Sequence, residues 1–227
     1  MMEIMRYHII SDMIKRFDYK SYLEIGISAG NTWRYLECDK KVGVEPAPQI
    51  DDDRIFIGTS DQYFALHYTG TEQARNDLQL EERFDLIFID GLHLADQVVR
   101  DIESAMDRLN HGGAIVVHDC NPPTEEYAGP RPELWRGIGR YLWCGTVWRG
   151  WVSWRMRNQH IFSCTVDTDY GVGIIMPDSK PMPKVVPIET FPYPITWEYF
   201  DTNRRKLLNL INTYSVLEEL WKSEAEQ

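Results

Sequence analysis

Short runs of apolar residues alternate along most of the chain with longer stretches whose apolar positions recur every third or fourth residue. That alternation predicts an α/β protein, a parallel sheet with helices on both faces. The candidate strands are SYLEIG (21–26), KVGVE (41–45), RIFIG (54–58), FDLIFID (84–90) and GAIVVHD (113–119). Helical spacing predicts helices over about 3–16, 30–37, 60–69 and 94–109. In LADQVVRDIESAMDRL the residues Leu94, Val98, Ile102, Ala105 and Leu109 form one apolar stripe. The opening MMEIMRYHIISDMIKRF mixes acidic and basic residues among its apolar positions, so it reads as an amphipathic helix and not as a signal peptide.

Beyond the fifth strand, residues 120–158 are rich in tryptophan and arginine. IFSCTVD and GVGIIMP follow, joined by the turn-prone TDYG, and read as a hairpin. The sheet is thus expected to have seven strands, mostly parallel with an antiparallel last strand. Six of the twelve prolines fall between Pro177 and Pro194, which marks a connector. The terminal TWEYFDTNRRKLLNLINTYSVLEELW returns to helical spacing with Thr196 as its N-cap. The expected organisation is one domain over 1–227: an N-terminal helix to residue 19, a core over 20–177, and a Pro-rich connector with C-terminal helices over 178–227.

A chain of 227 residues with 43% hydrophobic content can bury a full core in one domain. Its apolar stretches are all interrupted before they reach the length of a membrane span, so no membrane partner is expected. Cys38, Cys120, Cys144 and Cys164 are scattered without a CxxC pair, which argues against a zinc knuckle or disulfide framework and fits a reducing, cytoplasmic setting. A formal net charge of -11 opposes nonspecific nucleic-acid binding and favours a small-molecule partner. Against that balance, Arg131, Arg136, Arg140, Arg149, Arg155 and Arg157 face only Glu133 between Tyr127 and His160. With five of the eight tryptophans nearby, this segment could hold an anionic, glycosylated or nucleotide-linked acceptor. The bland alternative is that Trp148, Trp151 and Trp154, at helical spacing, face the core or a homodimer interface.

The strongest local motif is YLEIGISAGNT. A strand ends at Glu24, Gly26 permits a tight turn close to a ligand, and Gly30 opens the next helix, whose N-terminal amides favour a carboxylate or phosphate. Its E-x-G-x-x-x-G pattern departs from the dinucleotide fingerprint G-x-G-x-x-G, and a ligand-free turn would also want glycines. Glu45 stands nineteen residues after Gly26, at the end of the second strand. A carboxylate there can accept hydrogen bonds from both hydroxyls of a ribose.

YLEIGISAG, VGVEP, GTSDQYFA, FDLIFIDGLH and GGAIVVHDCNPP, in that order, resemble class I S-adenosylmethionine-dependent methyltransferases with a Rossmann-like fold, in particular bacterial small-molecule, sugar-type O-methyltransferases. The resemblance covers about residues 20–123. It implies that Glu24, Gly26, Ser28 and Gly30 hold the methionine part of S-adenosyl-L-methionine and that Glu45 holds its ribose. Thr59, Ser60 and Asp61 would lie near the adenine, and Asp90 would edge the reaction centre.

FIDGLH and VVHDCN end adjacent strands, so Asp90, His93, His118, Asp119 and Asn121 are expected to converge at the carboxyl edge of the sheet. An alcohol acceptor needs a base or a metal to attack. His93 is the first choice for base and His118 the second, with Asp119 beside them, although either histidine could be structural. Asp90, Asp119 and Asn121 could supply oxygen ligands to Mg²⁺, an option the His-Asp-Cys-Asn ending disfavours. Two rival functions remain: a nucleotide-dependent oxidoreductase on the same sheet, and a noncatalytic cofactor-binding protein.

Overall fold

The computed structural model describes residues 4–69, 83–130, 143–178 and 194–212. Within these, helix α1 (Arg6–Arg16) precedes strand β1 (Ser21–Ile25), β2 (Lys40–Glu45) and β3 (Ile55–Ile57). Helix α2 (Ser60–Thr69), β4 (Phe84–Ile89), α3 (Ala95–Asp107) and β5 (Leu109–Val117) follow. The chain continues through α4 (Val147–Arg157), β6 (Phe162–Val166), β7 (Val172–Met176), α5 (Trp197–Leu207) and β8 (Leu210–Ile211). No described helix is long and apolar enough to cross a membrane.

The strands form one sheet in the order β3-β2-β1-β4-β5-β7-β6-β8. β1 to β5 are mutually parallel where they pair, and β7 runs antiparallel to both β5 and β6. The expected Rossmann-like sheet is therefore present, with one addition: the two-residue β8 pairs parallel with β6 as an eighth strand.

Alternation along the strands builds the two layers around the sheet. In β4, Ile87 and Ile89 face a core shared with Val98 and Ile102 of α3 and with the tryptophans of α4. Leu86 and Phe88 face the other core, with Ile9, Ile10 and Met13 of α1. Register then decides where function can sit. Ile25 pairs with both Val44 and Ile89, and Ile89 pairs with Val117. The residues that follow these ends therefore emerge side by side at one edge.

Two expected helices are shorter than the spacing predicts. The helix expected over 30–37 is a single 3₁₀ turn, Trp33–Tyr35. Lys41 Nζ donates to the carbonyls of Trp33 and Leu36 at 2.7 and 2.9 Å, which occupies acceptors that a continuing helix would use itself. The helix N-capped by Thr196, whose Oγ1 accepts from the Tyr199 amide at 3.3 Å, ends at Leu207. Asn209 then adopts φ 47, and Leu210 and Ile211 turn into β8. The remainder of that expected helix, from residue 213, lies outside the described residues, as does the connector over 179–193.

Within the Trp/Arg segment, Trp143 lines the cavity described below, whereas the residues of α4 turn inward. Trp148, Trp151 and Trp154 are buried in α4. The Trp148 and Trp151 indoles donate to Ala128 O and Thr165 Oγ1. Arg155 is buried with them and donates to Ser163 Oγ, Ser163 O and Leu207 O, with burial pulling its guanidinium down to about 10. These side chains build the core and not an acceptor surface. Arg149 lies over the Trp148 ring and Arg157 pairs with Glu103, while Arg131, Arg136 and Arg140 lie outside the described residues.

Candidate active site

The turn after β1 is shaped by close backbone approach. Gly26 adopts φ 93 and Gly30 φ 74, with Ser28 between them at φ 46. A Cβ on Gly26 would lie 2.0 Å from the Asp90 carbonyl oxygen, so only glycine lets the β1 and β4 ends meet here. Two further bonds fix the turn: Gly26 N–H to Val44 O at 2.9 Å, and Asp90 N–H to Ile25 O at 2.8 Å. Over this edge opens a cavity of about 640 Å³, within the range of small-ligand sites.

Carboxyl groups line its floor. Glu45, at the end of β2, accepts from Ser28 N–H and Ala47 N–H at 3.0 Å each, which ties the β1 turn to the β2 turn. Glu24 is buried, and desolvation pushes its carboxyl up to about 8 although Tyr22 Oη donates to it at 2.8 Å. An acid raised in this way ionises more readily when a positive charge is brought beside it. At the start of α2, Gln97 Nε2 donates to Ser60 Oγ at 3.1 Å and to Asp61 Oδ1 at 3.0 Å. Thr59 Oγ1 caps the same helix by accepting from Gln62 N–H at 3.2 Å.

At the opposite end, the strand termini of β4 and β5 deliver two histidines and two aspartates. His93 Nδ1 lies 2.7 Å from Trp143 O and 3.2 Å from Asp119 Oδ2, and its Nε2 lies 3.3 Å from Asp90 Oδ1. A carbonyl can only accept, so Nδ1 carries a proton and Nε2 is the basic atom when the ring is neutral. His118 Nδ1 lies 3.4 Å from both Asp90 Oδ1 and Asp119 Oδ1, and Nε2 lies 3.4 Å from Asp169 Oδ1. Both of its nitrogens face carboxylate oxygens.

Burial alone would lower both imidazoles. For His93 the charge of Asp119 and the bond to Asp90 outweigh burial and raise it to about 9. For His118, Asp119, Asp90 and Asp169 together raise it well above the ordinary value. Burial would raise Asp90, but His118, His93 and Arg6 hold it well below the usual carboxylate range.

The predicted residues Glu24, Gly26, Ser28, Glu45, Thr59, Ser60, Asp61, Asp90, His93, His118 and Asp119 all line this cavity. Gly30 does not. It turns the chain beneath the cavity, and a Cβ there would meet the Ile50 side chain at 2.9 Å. Asn121 is directed elsewhere: its Nδ2 donates to Asp167 at 2.9 Å and its Oδ1 accepts from Arg204 at 2.8 Å. The oxygen trio Asp90, Asp119 and Asn121 is therefore not assembled. Among the described residues, Asp90, His93 and Asp119 bring one ligand atom each within 4.8 Å of one another, a nitrogen and oxygen set that could hold a divalent ion softer than Mg²⁺.

Sequence reasoning missed Arg6, Gln97, Asp169 and Tyr170 as lining residues, and it placed Trp143 only within a broad segment. For Arg6 and Asp169 no local signal exists, because they meet across 163 positions of sequence. The strip around Trp143 is brought in by Gly145 and Thr146. Thr146 N–H donates to His93 O at 2.9 Å, and a Cβ on Gly145 would lie 2.1 Å from that same oxygen.

Residues 23–120 match the model of a family described as a methyltransferase domain. No curated protein matches the chain. Among solved structures, the chain is similar to an O-methyltransferase candidate from Klebsiella pneumoniae, with 14% identity, a TM-score of 0.49, and 77% of this chain and 80% of that one covered. It is also similar to an SAH-bound methyltransferase from Podospora anserina, with 20% identity, a TM-score of 0.48, and 77% and 78% covered.

Proposed function

We propose that this chain, whose residues 23–120 carry a methyltransferase domain, transfers a methyl group from S-adenosyl-L-methionine to a hydroxyl of a small molecule, such as a sugar or a glycosylated metabolite. The observation that carries the reading is that the domain match spans the strands whose ends build the cavity. The donor set there suits the cofactor. Glu45 offers a carboxylate to a vicinal diol, Glu24 a buried acid to an ammonium group, and Ser60, Asp61 and Gln97 a polar edge to a base. When bound, the cofactor supplies a methyl group activated on a sulfonium.

The remaining work falls to the chain's own side chains. His93 Nε2 takes the acceptor proton, and Asp119 with the Trp143 carbonyl fixes the ring through Nδ1. Trp143 stacks on His93 with centroids 5.1 Å apart and, with Tyr170, gives the acceptor end aromatic faces. Carboxylates outnumber cations in the described lining, which suits a neutral, hydroxyl-bearing acceptor. Incubating cell extract with the protein and isotopically labelled cofactor should yield one metabolite heavier by one labelled methyl group. A protein that binds S-adenosylhomocysteine yet labels nothing in a broad panel of sugars, phenols and carboxylates would be a noncatalytic binder. Binding of NAD in its place would return the oxidoreductase reading.

Two predictions test the parts of the site. Glu45→Ala is expected to weaken S-adenosylmethionine binding by about 1–3 kcal/mol, because ribose hydroxyls lose a charged acceptor. Calorimetry measures this, and unchanged affinity in a folded variant removes Glu45 from the cofactor site. Chelation by EDTA is expected to leave at least part of the activity in place. Asp90, Asp119 and Asp169 are already balanced by His93, His118 and Arg6, so the site's charge needs no added cation. Complete loss on chelation, restored by a divalent ion, would make Asp90, His93 and Asp119 ligands.

A further inference from the structure

The turn between β6 and β7 is built against its own backbone preference. Asp169, Tyr170 and Gly171 follow one another at φ 46, 60 and 91, and the first two are not glycine. The turn is docked on the end of β5 by Cys120 N–H to Gly171 O at 3.0 Å and Asn121 N–H to Tyr170 O at 2.7 Å. This geometry delivers the Asp169 side chain, almost fully buried, between two elements far apart in sequence. Asp169 Oδ2 accepts from both Arg6 N–H and Arg6 Nη1 at 2.9 Å each, and Oδ1 faces His118 Nε2 at 3.4 Å. Arg6 is itself held by Thr32 Oγ1, to which its Nε donates at 3.0 Å, and lies 3.6 Å from Asp90 Oδ2. Thr168 Oγ1 adds a bond to Ile4 O, so the start of α1 is stitched to this turn.

We propose that Asp169, backed by Arg6, is a positioning residue of the active site: it grips His118 by Nε2 and thereby sets Nδ1 between Asp90 and Asp119, separating these two carboxylates and aiming them into the cavity. The groups facing His118 are Arg6, Asp90, Asp119 and Asp169. Arg6 Nη1 lies 3.5 Å from His118 Nε2, but its shorter bond is to Asp169, which leaves the ring nitrogen to donate to the other carboxylate oxygen. His118 therefore donates from both nitrogens and holds carboxylates, while His93 is left to exchange the proton. Helix α1, outside the span of the domain match, becomes part of the site through Arg6. The role of the aimed carboxylates rests on the methyltransferase reading, whereas the grip on His118 does not.

The test is Asp169→Asn. Asparagine tolerates the left-handed backbone as aspartate does, so the variant changes charge and hydrogen bonding with little change in the turn. The readout is the His118 Nε2–H proton in long-range ¹H–¹⁵N spectra of the ligand-free full chain, assigned by its absence in His118→Gln, with His93 as internal reference. The expected result is a downfield, slowly exchanging signal in the wild type that is lost in Asp169→Asn while the His93 resonances persist. A signal unchanged in Asp169→Asn, with only a lower melting temperature, would make the residue merely structural and overturn the proposal. Should that variant fail to fold, Arg6→Gln is read in the same way: weakening of the His118 signal supports the proposal and an unchanged signal overturns it. Binding of S-adenosylhomocysteine by the wild type is measured alongside. Its absence with the His118 signal intact would count against the methyltransferase reading and still support the grip.

Discussion

Replacing His93 with Gln is expected to lower methyl transfer by about 10² to 10⁴-fold, the usual cost of losing a general base, while S-adenosylhomocysteine binds as before. Glutamine keeps a polar group of similar reach but has no basic nitrogen. The measurement uses steady-state kinetics with the acceptor identified by labelling, together with calorimetry for the cofactor product. The pH profile gives the second half of the expectation. Burial pulls the His93 imidazole down, but Asp119 and Asp90 outweigh it and raise it to about 9 in the ligand-free protein. Below that pH the ring is protonated and cannot accept, so kcat/KM should climb as pH rises toward about 9 and then level off. In His93→Gln that rising limb should vanish. Near-normal turnover in His93→Gln, with turnover abolished in His118→Gln at intact fold and cofactor affinity, would transfer the role to His118.

The strands that carry this site were legible because apolar alternation is a local property, and their ends follow from it. Asp90 and His118 sit one residue past β4 and β5, and Gly26 sits one past β1. Glu45 was legible from spacing alone. The orientation of His93 was not, because it is set by a main-chain carbonyl fifty positions away, and a carbonyl leaves no mark in a sequence. Arg6 and Asp169 were missed for a related reason: each looks like an ordinary surface charge until α1 and the β6–β7 turn are brought together. The tryptophans of α4 show the reverse case. Their helical spacing was visible, but spacing cannot say whether an indole meets a ligand or the underside of a sheet. Here Trp151 donates into β6 and a Cβ on Gly173 of β7 would lie 2.9 Å from its ring, which puts it in the core. Asn121 was grouped with the site by proximity to Asp119, yet Arg204 from α5 claims its oxygen.

Gly26→Val is expected to weaken cofactor binding by about 10- to 100-fold, for reasons of space as well as conformation. At φ 93 a β-branched residue is strained wherever it stands. Its Cβ would also fall 2.0 Å from Asp90 O and 2.8 Å from Gly91 Cα, which are backbone atoms with no rotamer by which to yield. Relief requires the β1 turn to move away from the end of β4. That motion strains the bond from Asp90 N–H to Ile25 O and carries the cavity floor away from Asp90. Overpacking of this kind costs about 1–3 kcal/mol or more, and each 1.4 kcal/mol passed on to binding is about a tenfold loss of affinity. Gly112→Ala supplies the control, since Gly112 has φ 77 but nothing within 4 Å of its added Cβ. It should lower the melting temperature slightly and leave S-adenosylhomocysteine affinity unchanged. Calorimetry and thermal unfolding on both variants separate the two effects. Retained affinity in a folded Gly26→Val would remove the β1 turn from the cofactor site, and equal losses in both variants would mean that binding was reporting general destabilisation.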